Sequence, residues 1–208
     1  MNNIFIEKPY MEYHHDTPFA IARLNVKYAH LLAKLALKYE KQVMKLEPDK
    51  NWSQVYQNTT SARYNKYNVF LLDSAYMNLF LATRTLFRYF LEQTENKLYP
   101  CYIRSWYNIS KQGEDIFRHT HEARIIGSFL AFTEGAYTSY GPLKDSNEKD
   151  HIFENKDGLL IITKSNMGNY HEVSPWHNQE YPRVSYAFDI KEQCLFKQGN
   201  YYIPFDGL

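Results

Sequence analysis

The chain has 208 residues, 44% of them hydrophobic and 23% charged, which is ordinary for a globular protein. Its formal net charge of +1 offers no strong electrostatic argument for a nucleic acid or a membrane surface as a partner. Two cysteines, Cys101 and Cys194, are too few for a disulfide framework and indicate free thiols in a reducing compartment. With no secretory signal and no apolar run of about 18 residues, we expect a cytoplasmic protein without a membrane span.

The first predicted helix begins at Thr17 and Pro18. Residues 1–17 show no clear period, but Thr17 suits a helix cap and Pro18 suits the first helical position. Apolar residues then recur every three or four positions, which is typical of a helix with one buried face. Pro48 is expected to end it.

A second helix is predicted after a polar stretch. Residues 49–68 are rich in Asn, Gln, Ser and Thr, which predicts a loop with room for one short helix. Asp73 or Ser74 is expected to cap the next helix, which runs to about Thr94 and carries one apolar stripe. Two amphipathic helices need a common apolar surface to cover, and a sheet would supply it.

The second half of the chain predicts strands. Short segments rich in Tyr, Ile, Phe and Val alternate with glycine-containing turns. The predicted strands are 101–109, 125–133, 136–140, 151–155, 158–164, 170–174, 182–190, 194–197 and 200–204. We therefore predict one α+β domain over 1–208, mainly helical over 1–100, with a β-barrel or jelly-roll core over 101–208. Within that core, 137–156 is predicted to form a mobile loop that could cover a substrate.

Three histidines form a candidate metal site. His119 and His121 are two residues apart, so on extended chain their side chains would point to the same side. His171 follows about fifty residues later. Imidazole is a good ligand for iron, zinc, copper and nickel. An isolated His-x-His is more often solvated surface than a ligand, but a third histidine on a distant strand could complete a facial set.

Arg183 and Ser185 form a candidate anion site. They alternate along one predicted strand and would therefore share a face. A guanidinium can hold a carboxylate with two hydrogen bonds, and a neighbouring hydroxyl can bind the remaining oxygen. If Arg183 faces inward, it needs either an internal acid or a carboxylate ligand, because a buried charge without a partner is costly.

The order of these motifs resembles the iron(II)- and 2-oxoglutarate-dependent oxygenases, in particular a subgroup frequent in bacteria and their viruses. The resemblance covers about residues 101–190. The matching motifs are Trp106-Tyr107-Asn108, Gly113, His119-Thr120-His121, Gly127-Ser128, His171-Glu172-Val173-Ser174-Pro175 and Arg183-Val184-Ser185-Tyr186-Ala187-Phe188. It implies a double-stranded β-helix (a cupin-like jelly roll) whose major sheet is buttressed by N-terminal helices.

The resemblance also implies roles for the site residues. His119 and His171 would bind iron(II), and Arg183 with Ser185 would bind the C5 carboxylate of 2-oxoglutarate. The implied reaction uses O2 to hydroxylate an unactivated C–H bond of a small-molecule or peptide substrate, with release of succinate and CO2. A homodimer is possible.

One early core strand would line the co-substrate pocket in this family. On this chain the resemblance implies that role for Tyr107 or Asn108.

The chain departs from the family at His121, where most members have a carboxylate. His121 itself could be the third ligand, Glu122 could swing in, or water could take the place. Geometry favours His121, since the side chain of Glu122 should point the other way on an extended strand.

Two other functions fit the same residues. One is a three-histidine cupin-type metalloenzyme that does not use 2-oxoglutarate, which an internal salt bridge of Arg183 would favour. The other is a non-catalytic jelly-roll binding protein, for which the purified protein should contain no metal.

Overall fold

The structure is a computed structural model that describes residues 5–49, 60–95, 97–142, 149–166, 169–192 and 201–206. Two α-helices and eleven strands lie in these ranges. In chain order they are β1 (Phe5–His14), β2 (Thr17–Leu24), α1 (Val26–Val43), α2 (Met77–Thr94), β3 (Cys101–Ser110), β4 (Ile116–His119), β5 (Ile125–Phe132), β6 (Tyr137–Gly141), β7 (His151–Glu154), β8 (Leu159–Lys164), β9 (Tyr170–Val173), β10 (Arg183–Glu192) and β11 (Ile203–Asp206). Short 3-10 helices span Thr60–Arg63, Val69–Leu71 and Ser74–Tyr76.

The strands form two antiparallel sheets. The larger has the order β1-β2-β8-β5-β10-β3-β11 and the smaller has the order β4-β9-β6-β7. Apart from the consecutive pairs β1–β2 and β6–β7, neighbours in the sheets are not consecutive in sequence, as in a jelly roll rather than a series of hairpins. The predicted jelly-roll core is confirmed.

The predicted start of the first helix is wrong. Residues Thr17–Leu24 form β2, and α1 begins only after Asn25, whose side chain accepts a hydrogen bond from the backbone N–H of Lys27. Because β2 is buried on both faces, apolar residues run along it without the alternation that identifies a half-buried strand. Residues Phe5–His14, for which no element was predicted, form the edge strand β1 beside it.

The second helix agrees with its prediction. Asp73 accepts a hydrogen bond from the N–H of Ala75 and starts a 3-10 turn that leads directly into α2. Both helices share one buried apolar cluster with the seven-stranded sheet. In the parts of the chain that the structure describes, no helix is long and apolar enough to cross a membrane.

Most predicted strands are found within a few residues of their predicted bounds. Strand β4, with only four residues, was missed, and 194–197 lies outside the described residues. Much of the predicted loop over 137–156 is instead the antiparallel pair β6–β7, and its centre, 143–148, also lies outside them. The centre of the predicted lid therefore falls outside the described residues, and its role in covering a substrate stays a prediction.

The central strands β3 and β10 separate the core from a cavity. They pair in continuous register from Arg183 opposite Ser110 to Glu192 opposite Cys101. One face of the pair packs under the helices, through residues such as Tyr107 and Phe188. Because side chains alternate along a strand, every second residue faces the other way, toward the smaller sheet.

Candidate metal centre

A cavity of about 340 Å³ lies between the two sheets. Its wall includes side chains from β3, β5 and β10 of the larger sheet and from β4, β6 and β9 of the smaller one. All three candidate histidines and Arg183 contribute to this wall. The structure therefore brings the predicted metal ligands and the predicted anion site into one enclosed space.

The three histidines converge at one point of the cavity. His119, the last residue of β4, lies directly opposite His171 on β9, and their ring centroids are 4.3 Å apart. The Nε2 atoms of His119 and His121 are 3.2 Å apart. One nitrogen of each ring lies within 4.8 Å of those of the other two. Nitrogens bound to one ion at about 2.1 Å lie roughly 3 Å apart at adjacent positions, so the spacing of His119 and His121 suits a shared ion, with His171 beside them as a third candidate ligand.

The protein environment keeps two of these rings neutral. Burial, followed by the neighbouring His121, lowers the pKa of His119 to about 4. Burial also holds the pKa of His171 well below its ordinary value, and His119, His121 and Arg118 lower it further. A neutral imidazole has the free lone pair that a metal ligand requires.

Hydrogen bonds orient two of the imidazoles. Nδ1 of His119 lies 2.8 Å from the carbonyl oxygen of Phe117, and Nδ1 of His121 lies 2.6 Å from a carboxylate oxygen of Asp189. Since these oxygens can only accept, both Nδ1 atoms are donors, and Nε2 is the nitrogen of each ring that faces the other histidine. Nδ1 of His171 is buried and has no hydrogen-bond partner among the residues described.

The side chain of Glu122 lies away from this point. It is 94% exposed, and its carboxylate is 3.6 Å from Nζ of Lys191. His121, in contrast, is only 9% exposed and its ring stacks on that of Trp106, with centroids 5.7 Å apart. Of the two protein alternatives for the third ligand, the geometry brings His121 to the other histidines.

Arg183 is fully buried in the cavity wall. Its guanidinium donates to the backbone carbonyl of Ser174 at 3.1 Å and to the hydroxyl of Ser110 at 2.8 Å. These two neutral acceptors fix the direction of the guanidinium. A rigid buried cation of this kind favours a carboxylate.

Other polar groups line the same wall. Ser185 and Asn108 face each other across β10 and β3. Oδ1 of Asn108 and Nδ2 of Asn155 are buried without a hydrogen-bond partner in the described part of the chain. Buried polar atoms are normally paired, so these atoms have room for a partner in the cavity, either water or a polar ligand.

Tyr107 corrects one of our expectations. It lies on the opposite face of β3 from Asn108, is fully buried in the core and packs against Tyr67 and Tyr186. Adjacent residues on a strand point to opposite faces, so only one of Tyr107 and Asn108 could reach the cavity. That residue is Asn108.

Two residues of the cavity wall, Asp189 and Arg104, were not predicted as site residues. Asp189 follows Arg183 and Ser185 in steps of two along β10, so the same alternation would have found it, and Arg104 lies opposite it on β3. Both are buried and hydrogen-bonded to each other. Burial would raise the pKa of Asp189, but His121 and Arg104 outweigh it and hold that pKa below its ordinary value.

Comparisons with known proteins support the fold. No protein-family model and no curated protein matches the sequence. Three solved structures are similar over most of their length. A prolyl hydroxylase from Trichoplax adhaerens, in complex with a peptide fragment of the hypoxia-inducible-factor oxygen degradation domain, has a TM-score of 0.62 at 13% identity, covering 86% of this chain and 87% of its own.

A Pseudomonas putida prolyl-4-hydroxylase has a TM-score of 0.56 at 13% identity, over 84% of this chain and 88% of its own. HygX from Streptomyces hygroscopicus, with nickel and 2-oxoglutarate bound, has a TM-score of 0.55 at 9% identity, over 90% of this chain and 92% of its own. These neighbours belong to the 2-oxoglutarate and iron(II) oxygenases. At such low identities the likeness shows a shared fold.

Proposed function

We propose that this protein is an iron(II)- and 2-oxoglutarate-dependent oxygenase that hydroxylates an unactivated C–H bond. The observation that carries the proposal is the convergence of His119, His121 and His171 in the same cavity as the buried Arg183. A metal site and an anion site in one enclosed space are what an enzyme needs to bind a metal-chelating dicarboxylate. The oxygenase fold of the structural neighbours supports the same reaction class.

In this proposal the three histidines hold the metal. The donor set is three imidazoles, two of them kept neutral by their surroundings, and such ligands suit iron(II). Iron(II) with 2-oxoglutarate and O2 would supply the oxidising chemistry, with succinate and CO2 as products. The protein's contribution is to fix the ligands and to enclose the reacting atoms away from water.

Arg183 and Ser185 bind the distal carboxylate of the co-substrate. Ser174 and Ser110 hold the guanidinium in place before any ligand arrives, so little conformational entropy is lost on binding. The hydroxyl of Ser185 offers a further donor on the same face of β10. The unpaired amide atoms of Asn108 and Asn155 extend this polar wall.

The primary substrate is a small molecule or a peptide that enters beside the histidines. The Trichoplax adhaerens prolyl hydroxylase is in complex with a peptide fragment, which supports the peptide class of substrate. The cavity is large enough for 2-oxoglutarate together with one reacting side chain or a small ring.

A second candidate is a three-histidine metalloenzyme that uses no 2-oxoglutarate. The observation that favours it is His121, which occupies the position of the family's usual carboxylate. The two candidate functions assign different roles to Arg183, since only the first uses it to bind a co-substrate.

The test is succinate release from 2-oxoglutarate by protein reconstituted anaerobically with iron(II) and then exposed to O2 with ascorbate. His171→Ala should lose bound iron and turnover together. His177→Ala, a change at an exposed histidine, is the matched control and should keep both. Iron-loaded wild-type protein that neither binds 2-oxoglutarate by calorimetry nor releases succinate would refute the first candidate and leave the second.

A further inference from the structure

A chain of three buried side chains runs from the cavity wall to the candidate metal centre. Asp189 on β10 lies directly opposite Arg104 on β3. Its Oδ2 accepts a hydrogen bond from Arg104, and its Oδ1 accepts one from Nδ1 of His121 at 2.6 Å. The side chains of His121, Asp189 and Arg104 are 9%, 3% and 6% exposed, so water screens these contacts little.

This chain determines how His121 faces the other two histidines. The carboxylate fixes the proton on Nδ1, and Nε2 then points toward Nε2 of His119, 3.2 Å away. Stacking on Trp106 holds the plane of the ring, and the hydrogen bond to Asp189 selects which nitrogen faces the site. His121 follows the end of β4, so these contacts, rather than strand geometry, set its orientation.

The contact between Asp189 and His121 also affects the electrostatics of an all-histidine site. Three neutral imidazoles contribute no negative charge to a bound dication. A site with two histidines and one carboxylate contributes one. Asp189 brings a carboxylate within one hydrogen bond of the site, and Arg104 balances its charge. A carboxylate that accepts the outer N–H of a ligating imidazole raises the basicity of that ligand.

We propose that Asp189 is a positioning residue of the metal centre, which orients His121 and, by accepting its outer N–H, makes it a more basic ligand. Arg104 holds Asp189 in place. Its guanidinium is itself fixed among the rings of Tyr64, Tyr202 and Trp106, at 4.5, 5.0 and 5.5 Å from their centroids. This role rests on the metal site of the proposed function.

The experiment measures cobalt(II) affinity by competition with a chelator, so it needs no turnover. Asp189→Asn keeps an oxygen that can accept from Nδ1 but removes the charge, and should weaken cobalt binding roughly 10- to 100-fold. Asp206→Asn is the matched control. Asp206 is an equally buried aspartate that binds Arg84 and Arg88 on α2 and does not line the cavity, so its loss should leave cobalt affinity unchanged.

A second variant guards against misfolding. Asp189→Asn leaves Arg104 as a buried charge without this carboxylate, which can destabilise the fold. Arg104→Gln/Asp189→Asn removes both charges, and thermal unfolding shows whether it folds. It should also bind cobalt weakly, and in zinc-loaded protein the Nδ1 proton resonance of His121 should shift from its wild-type position in both variants.

The outcomes separate the two proposals. If wild-type protein binds cobalt and His171→Ala does not, but both Asp189 variants bind within twofold of wild type, the role of Asp189 is refuted and the metal site stands. If wild-type protein binds no cobalt, the metal site fails, and the role of Asp189 falls with it. Weak binding by both variants with an unchanged control supports the proposal.

Discussion

Replacing Arg183 with lysine tests the co-substrate site most directly. Lysine keeps the positive charge but cannot make the paired hydrogen bonds of a guanidinium to a carboxylate. Arg183 is fully buried in the cavity wall, where Ser174 and Ser110 fix the direction of its guanidinium. We expect Arg183→Lys to bind 2-oxoglutarate much more weakly without losing the metal.

The magnitude follows from the hydrogen bonds at stake. A hydrogen bond to a charged group contributes about 1.5–3 kcal/mol. Loss of one such bond corresponds to roughly 10- to 150-fold weaker binding, at about 1.4 kcal/mol per tenfold. Ser185→Ala removes a neutral donor, worth about 0.5–1.5 kcal/mol, and should weaken binding by roughly 2- to 12-fold.

The assay is calorimetric titration of cobalt-loaded protein with 2-oxoglutarate and, separately, with 2-oxovalerate, which lacks the distal carboxylate. Arg183→Lys should weaken only the first. Arg124→Lys, at an arginine whose side chain is 47% exposed and which pairs with Glu95 and Glu192, is the matched control. Equal losses for both ligands, or 2-oxoglutarate affinity within twofold of wild type, would show that Arg183 does not bind the distal carboxylate.

Three further predictions concern stability and reactivity. Gly127→Ala should lower the free energy of unfolding in urea by roughly 1–3 kcal/mol, since a Cβ there would lie 2.7 Å from the carbonyl oxygen of Ile161; unchanged stability would refute that contact. Burial raises the pKa of the Cys101 thiol to about 12, so in a Cys194→Ser variant a thiol reagent at pH 8 should react only after denaturant is added. The pKa of His119 is lowered to about 4 in the folded state, so on acidification the unfolded chain takes up its proton first. His119 alone should therefore cost the metal-free protein roughly 1–2 kcal/mol of stability between pH 7 and pH 5, and His119→Asn should show a smaller loss than wild type in urea unfolding at the two pH values.

The sequence predicted the candidate site better than the elements around it. Alternation along one strand was enough to put Arg183 and Ser185 on the same face, whereas His119 and His171 were brought together by the resemblance to the oxygenases. The same rule, applied to Tyr107 and Asn108, could not say which face was the core, because both faces of β3 are buried. That choice depends on where the helices pack.

What the sequence could not predict depends on contacts between distant segments. β2 looked helical because neighbours on both sides and both faces bury it, which removes the alternation of a surface strand. Alternation could place Asp189 on the cavity face but could not identify its partners Arg104 and His121, which lie 85 and 68 positions away. Long-range pairing of this kind leaves no local pattern.

Residues of the candidate site lie on strands that differ in length and in their number of neighbours. Arg183, Ser185 and Asp189 lie on a ten-residue strand with partners on both sides in the larger sheet, whereas His119 ends a four-residue strand at the edge of the smaller one. Amide hydrogens of β10 should therefore exchange with deuterium only through global unfolding, and those of β4 through local opening. Strand β4, which holds His119, can thus open locally while β10, which holds Arg183 and Ser185, keeps its hydrogen bonds.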